Sequence, residues 1–250
     1  MNSNPQDGTS VKKYGLAFHT ATPELGLAIS NFAGDSRCQT WNLGRSLATD
    51  LHQHLVEFIG PQTWADLAFI AVAKGPGGFT GTRMGMVTAR TLAQQLDIPV
   101  FAISTLAAVA WGQPPQPPLS KGGLLSAQPP VAKEGLLNTE PPQPPVAKGG
   151  LLSIALQMPA QRGQLFGAVY SVNKDSGLTE LFPDTVMTPE SWQEKLESWE
   201  NSYQLIEVGS ELGWSVSSVL ELAYLEWKQG SRPDWSGALP YYGQHPVKGH

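Results

Sequence analysis

LAFIAVAKGPGGFTGTRMGMVTARTLAQQL, residues 67–96, is the stretch on which the fold turns. Its first seven residues are uninterrupted apolar, the mark of a strand buried on both faces of a sheet. Lys74–Gly85 then sets five glycines and a proline into twelve residues. From Thr80 or Gly81 to Leu96 the spacing is helical, and Asp97 with Pro99 stops it. A glycine-dense turn between a buried strand and a helix has two physical uses. It lets backbone N–H groups and the helix N-terminus converge on an anion, or it lets the chain turn tightly against its neighbours. Gly75, Pro76, Gly77, Gly78, Thr80, Gly81 and Arg83 are the candidates for either. The spacing matches neither GxxxxGK[ST] nor GxGxxG, so the residues alone leave both uses open.

Working outward, YGLAFHTAT (14–22) and LGLAISNF (25–32) are strand-like runs split by Pro23-Glu24, which predicts a hairpin. RCQTWNL (37–43) alternates as a third strand. Over 46–59 the period becomes helical, with Leu47, Leu51, Leu55 and Phe58 on one stripe and Ser46 in capping position. Val100–Ile103 is a short strand, and Ser104 starts a third helix. A smaller set follows further on: strands at 153–157, 165–172 and 181–187, a helix with Pro189 in its first turn, a strand at 205–208, a helix over 216–228, and the short apolar ALPYY (238–242). The order predicts an α/β protein of two related halves, 14–111 and 154–243, each a mixed sheet covered by helices.

Between them, residues 112–153 hold 10 of the 21 prolines and repeat one decamer three times: PPLSKGGLLS (117–126), PPVAKEGLLN (129–138) and PPVAKGGLLS (144–153). The period is irregular and too short for a stacking repeat. Pro-Pro and Gly-Gly oppose helices and extended ladders. This predicts a disordered surface insertion. The polar ends, 1–13 and 244–250, are expected to be a disordered N-terminus and a tail.

Composition excludes several classes. The chain has 250 residues, 41% apolar and 15% charged, with a net charge of −5. A free-standing nucleic-acid binder usually carries a basic face. The single cysteine, Cys38, forbids an internal disulfide framework or a four-cysteine zinc site. The absence of a long apolar run and of an apolar leader predicts a soluble cytoplasmic protein without membrane contact.

GPGGFTGTRMGMVTARTLA (75–93) with PVFAISTLAAVA (99–110) resembles the signature region of the TsaB family, the dimerisation subunits of the bacterial tRNA threonylcarbamoyladenosine machinery, also filed under glycoprotease-like names. LAFHTATPELGLAI (16–29) is similar to that family's first strand pair, and PDTVMTPESW (183–192) and ALPYY fit later segments. The resemblance implies the actin-like, Hsp70-like ATPase (ASKHA) fold and kinship with the catalytic TsaD-type paralogue. It implies a non-catalytic role: pairing with that paralogue, and with a small TsaE-type ATPase, for transfer of threonylcarbamoyl to adenosine 37 of tRNA. tRNA is then met only within the complex, and ATP and metal belong to the partner subunits.

The candidate catalytic groups support that direction. Where the fold places an aspartate in its first hairpin, this chain has His19-Thr20-Ala21-Thr22, and a histidine is a poor holder of hydrated magnesium. Thr105 and Val109 stand at the places of the paralogue's two metal-binding histidines. Pro159-Ala160-Gln161 departs from the family's D-A-R, with Arg162 next to it. Cys38 has no base near it in sequence. The expected partner surface is helices 46–59 and 81–96, through Leu47, Leu51, Leu55, Gly85, Ala89 and Leu92. The alternatives are a stand-alone ATPase or glycoprotease-like peptidase, and a homodimeric scaffold using the same helices on itself.

Overall fold

Two antiparallel meanders, each extended by parallel strands, organise the molecule. A computed structural model describes residues 13–113, 124–126, 153–173 and 177–243. The two ends expected to be disordered therefore lie outside the described residues, apart from Lys13, and so does most of the insertion. In the first sheet, β1 (Tyr14–His19), β2 (Glu24–Ser30) and β3 (Ser36–Asn42) pair antiparallel, and β4 (Leu67–Ala73) and β5 (Val100–Ile103) add on parallel, in the order β3-β2-β1-β4-β5. In the second, β7 (Ser153–Pro159), β8 (Leu165–Asn173) and β9 (Gly177–Met187) form the meander, and β10 (Tyr203–Glu207) pairs parallel with β7. The outer neighbour of β10 is a three-residue strand, β6 (Leu124–Ser126), giving the order β6-β10-β7-β8-β9. That strand is the end of the first decamer copy, so part of the expected structureless insertion is laddered.

The helices make layers. α1 (Leu47–Ile59) and α2 (Phe79–Leu96) cover the outer face of the first sheet, α3 (Thr105–Gly112) and α5 (Val216–Lys228) lie between the sheets, and α4 (Pro189–Glu197) covers the outer face of the second. The central layer is exchanged between halves. α5, from the second half of the chain, packs on β1, β2, β4 and β5, while α3, from the first half, packs on β7, β8 and β9. One apolar core therefore runs from Ala17, Phe69 and Phe101 through Leu106 and Val219 to Leu156 and Ala168. Leu67–Ala73 is buried almost throughout, as its apolar run requires.

Capping follows residue chemistry in part. Ser104 accepts a hydrogen bond from the Ala107 amide at 3.1 Å and caps α3. Thr188 accepts from the Ser191 amide ahead of Pro189. Ser46 does not cap α1, because a 3-10 turn, Gly44–Ser46, leads directly into the helix and holds Ser46 in a helical conformation.

Candidate functional site

β4 ends at Ala73, and the next residues are fixed from three sides. Lys74 donates its amide to the Ile103 carbonyl at 2.8 Å, Gly75 accepts from the Thr105 amide at 2.9 Å, and Lys74 accepts from the Tyr241 amide at 2.7 Å. Gly75 has φ +100°, and a side chain there would meet the Tyr241 carbonyl oxygen at 2.3 Å. The other glycines lie against the hairpin turn after β1. A Cβ on Gly77 would stand 2.2 Å from the Ala21 carbonyl oxygen, one on Gly81 2.1 Å from that of Thr20, and one on Gly85 2.1 Å from Thr20 Oγ1. Real contacts hold the same approach: the Gly78 amide donates to Ala21 at 2.7 Å, and the Thr20 hydroxyl donates to the Gly81 carbonyl at 2.8 Å. Four glycines are thus accounted for by close packing of the chain on itself, and none of them needs an anion. Gly78, Phe79, Thr80 and Arg83 are exposed.

The first strand ends at His19, which is fully buried. Neither ring nitrogen has a hydrogen-bond partner among the described residues, and desolvation alone lowers its pKa to about 4. The imidazole is therefore neutral at physiological pH. Thr105 and Val109, which the resemblance set at the places of two metal-binding histidines, are both fully buried. Among the described residues no three His, Cys, Asp or Glu side chains are placed to hold a metal ion. At the end of β1 the hairpin presents this uncharged, buried ring, which offers a hydrated magnesium ion no carboxylate.

The six partner-surface candidates turn inward, which corrects the expectation drawn from their spacing. Leu47, Leu51, Leu55 and Ala89 are core residues packed on the first sheet, Gly85 is buried against Thr20, and half-buried Leu92 joins the same core. The small side chains at 85 and 89 admit this protein's own hairpin and sheet, leaving no room for another helix. The outward faces of the same helices carry Val56, Phe79 and Val87, each more than half exposed. Cys38 is exposed on the edge strand β3.

A second polar centre was not singled out from the sequence. A cleft of about 280 Å³ opens between the halves, lined by Lys74, Ser104, Tyr170, Glu180 and Glu226. In its wall the Tyr170 hydroxyl donates to Asp184 Oδ1 at 2.7 Å and lies 3.4 Å from Ser104 Oγ. Burial raises the Asp184 carboxyl above the ordinary carboxylate range and the Tyr170 phenol above its own. The Tyr241 hydroxyl donates to the Asp184 backbone carbonyl. Lys74, directly before the 75–93 block, and the blocks 183–192 and 238–242 therefore meet here, with Tyr241 bonded to Lys74 on one side and Asp184 on the other.

Comparison with known proteins bears on this arrangement. Residues 57–121 match the model of the family described as "TsaD: tRNA N6-adenosine threonylcarbamoyltransferase". The Bacillus subtilis tRNA threonylcarbamoyladenosine biosynthesis protein TsaB is 56% identical over 45 residues, 18% of this chain and 20% of that protein. A TsaB from Buchnera aphidicola of Acyrthosiphon pisum is 23% identical over 147 residues, 59% of this chain and 52% of that one. YeaZ from Pseudomonas aeruginosa superposes with a TM-score of 0.63, covering 92% of this chain and 100% of its own at 18% identity. The chain is similar to the TsaB/YeaZ proteins. Its matches to TsaB proteins of B. subtilis and of Buchnera from Schizaphis graminum span only about a fifth of each, 20% and 23%. The fold, a pair of mixed α/β halves, is that of the YeaZ structure. Within that fold, the glycine block serves the joint between β4, the first hairpin and residues 238–242.

Proposed function

We propose that this chain is a non-catalytic, cytoplasmic subunit of the t6A machinery, which pairs with a TsaD-type catalytic paralogue and supports threonylcarbamoyl transfer to adenosine 37 of tRNA. The observation that carries the reading is His19. A neutral, buried imidazole occupies the place where the fold's nucleotide-using members keep a carboxylate. A group in that state neither anchors magnesium nor balances its charge. ATP and metal then act on the paralogue and on a TsaE-type ATPase, and tRNA is met within the assembly.

The partner surface in this reading is the outward face of α1 and α2, with exposed Val56, Phe79 and Val87 and the Arg83 cation. Interfaces of this kind place apolar residues at the centre and charges at the rim. Val87→Glu puts a charge into that centre. We expect it to weaken association with the paralogue ten-fold or more by calorimetric titration while leaving monomer stability within about 0.5 kcal/mol, the usual range for a surface change. Unchanged affinity would move the interface off α2. A variant that forms the same self-associated species as wild type, with no affinity of either for the paralogue, would favour the homodimeric scaffold.

A further inference from the structure

The two sheets place their strands in the same way, yet they obtain the fifth strand differently. Beside β4 stands β5, which the chain reaches directly from α2. Beside β10 stands β6, whose three residues precede β7 in sequence and belong to the decamer repeat. Without them the described residues from 153 onward supply four strands, and the outer edge of β10 presents unpaired backbone N–H and C=O groups.

The pentapeptide GGLLS occurs identically at 122–126 and 149–153. The first ends in β6, with Leu124, Leu125 and Ser126 opposite Leu205, Ile206 and Glu207. The second ends in Ser153, which opens β7 opposite Tyr203. One repeated segment thus leads to both sides of β10, parallel to it each time. A backbone ladder recognises its strand mainly through main-chain hydrogen bonds, so any chain presenting the same segment meets the same edge.

We propose that the outer edge of β10 is a strand-addition site for the Gly-Leu-Leu-Ser segment of the decamer, filled in cis by residues 124–126 and open to the same segment of a second copy of this chain once the cis copy is withdrawn. The cis segment acts at an effective concentration on the millimolar scale, so the intact chain excludes a competitor that its proline-broken form accepts.

The test uses a labelled peptide of residues 121–128, KGGLLSAQ, and the full chain carrying Leu125→Pro and Leu137→Pro. Proline cannot donate to a ladder, so it disables the centre of β6 and the matching position of the second copy. By fluorescence anisotropy the variant should bind the peptide at least ten-fold more tightly than the wild-type chain does. It should ignore a scrambled peptide of the same composition. Equal binding by both chains, binding of the scrambled peptide, or no binding by the variant would overturn the proposal. Hydrogen exchange gives a second reading on the single variant Leu125→Pro. At least one amide within 205–207 should exchange ten-fold faster than in wild type, and unchanged rates there would show that β6 does not hold the edge.

Discussion

The outer layers of the two sheets are built to different depths. Over the first sheet, α1 and α2 bury a broad cluster that includes Leu51, Leu55, Phe58, Met86, Ala89 and Ala93. Over the second, nine-residue α4 buries Trp192 and Leu196 on Ala155 and Val169. Trp192 is 2% exposed, lies against Gly167 closely enough that a Cβ there would meet its ring at 2.7 Å, and donates its indole N–H to Gln157 Oε1 at 3.0 Å. One layer is held by many modest contributors and the other chiefly by Trp192, with Leu196 beside it. The difference teaches where damage spreads: a broad cluster shares a loss, while a layer that leans on one large side chain is lost locally.

Trp192→Ala tests the thin layer and carries the largest expected effect. Truncating a buried tryptophan costs about 3–5 kcal/mol, and here it should also release α4, seen as fast hydrogen exchange across 189–197 before global unfolding. If α4 stays protected, Leu196 and the helix cap suffice and the contrast between the layers is wrong.

The hairpin under the thick layer should show itself through pH. Unfolded, His19 titrates near its ordinary 6.5, and folded only near about 4. Between these values the unfolded chain takes up the extra proton. Stability that is fully present above pH 6.5 is therefore lost as pH falls toward 4, by roughly 3 kcal/mol in all. Half-buried Asp184 and cleft-lining Glu226, whose pKa values are raised by desolvation, act in the opposite sense over acid pH. The informative quantity is thus the difference between wild type and His19→Gln in denaturant midpoints from pH 7 to 4. A constant difference would mean that the ring is solvated or paired in solution.

Ala89→Leu should give the smallest of these effects, about 1–3 kcal/mol of destabilisation from overpacking at a fully buried site. A thermal melt unchanged from wild type would return Ala89 to the surface and reopen the face first expected to dock a partner.

Much of this architecture was legible in the sequence. The uninterrupted apolar run of β4, the alternation of β3 and the leucine stripe of α1 each fixed an element with its period. Period alone does not name the neighbour. The stripe through Leu47, Leu51 and Leu55 reads equally as a seam for another helix or a face for a sheet, and only the fold places the first sheet beneath it. Gly85 and Ala89 posed the same ambiguity, because a small residue signals close approach without saying of what. The Tyr170–Asp184 bond and the Tyr241 bridge to Lys74 were hidden by sequence separation. β6 was missed because prolines and paired glycines argue against a ladder when averaged over ten residues, whereas the Leu-Leu-Ser end of the decamer carries neither.

The central claim is that the chain works only through its partners. Reconstituting threonylcarbamoyl transfer to tRNA from a TsaD-type subunit, a TsaE-type ATPase and the small-molecule substrates, with and without this chain, tests it most directly. The account predicts that omission lowers t6A formation at least ten-fold, and that the chain alone forms none and hydrolyses no ATP. Equal t6A formation without it, or ATP turnover by the isolated chain, would contradict the account.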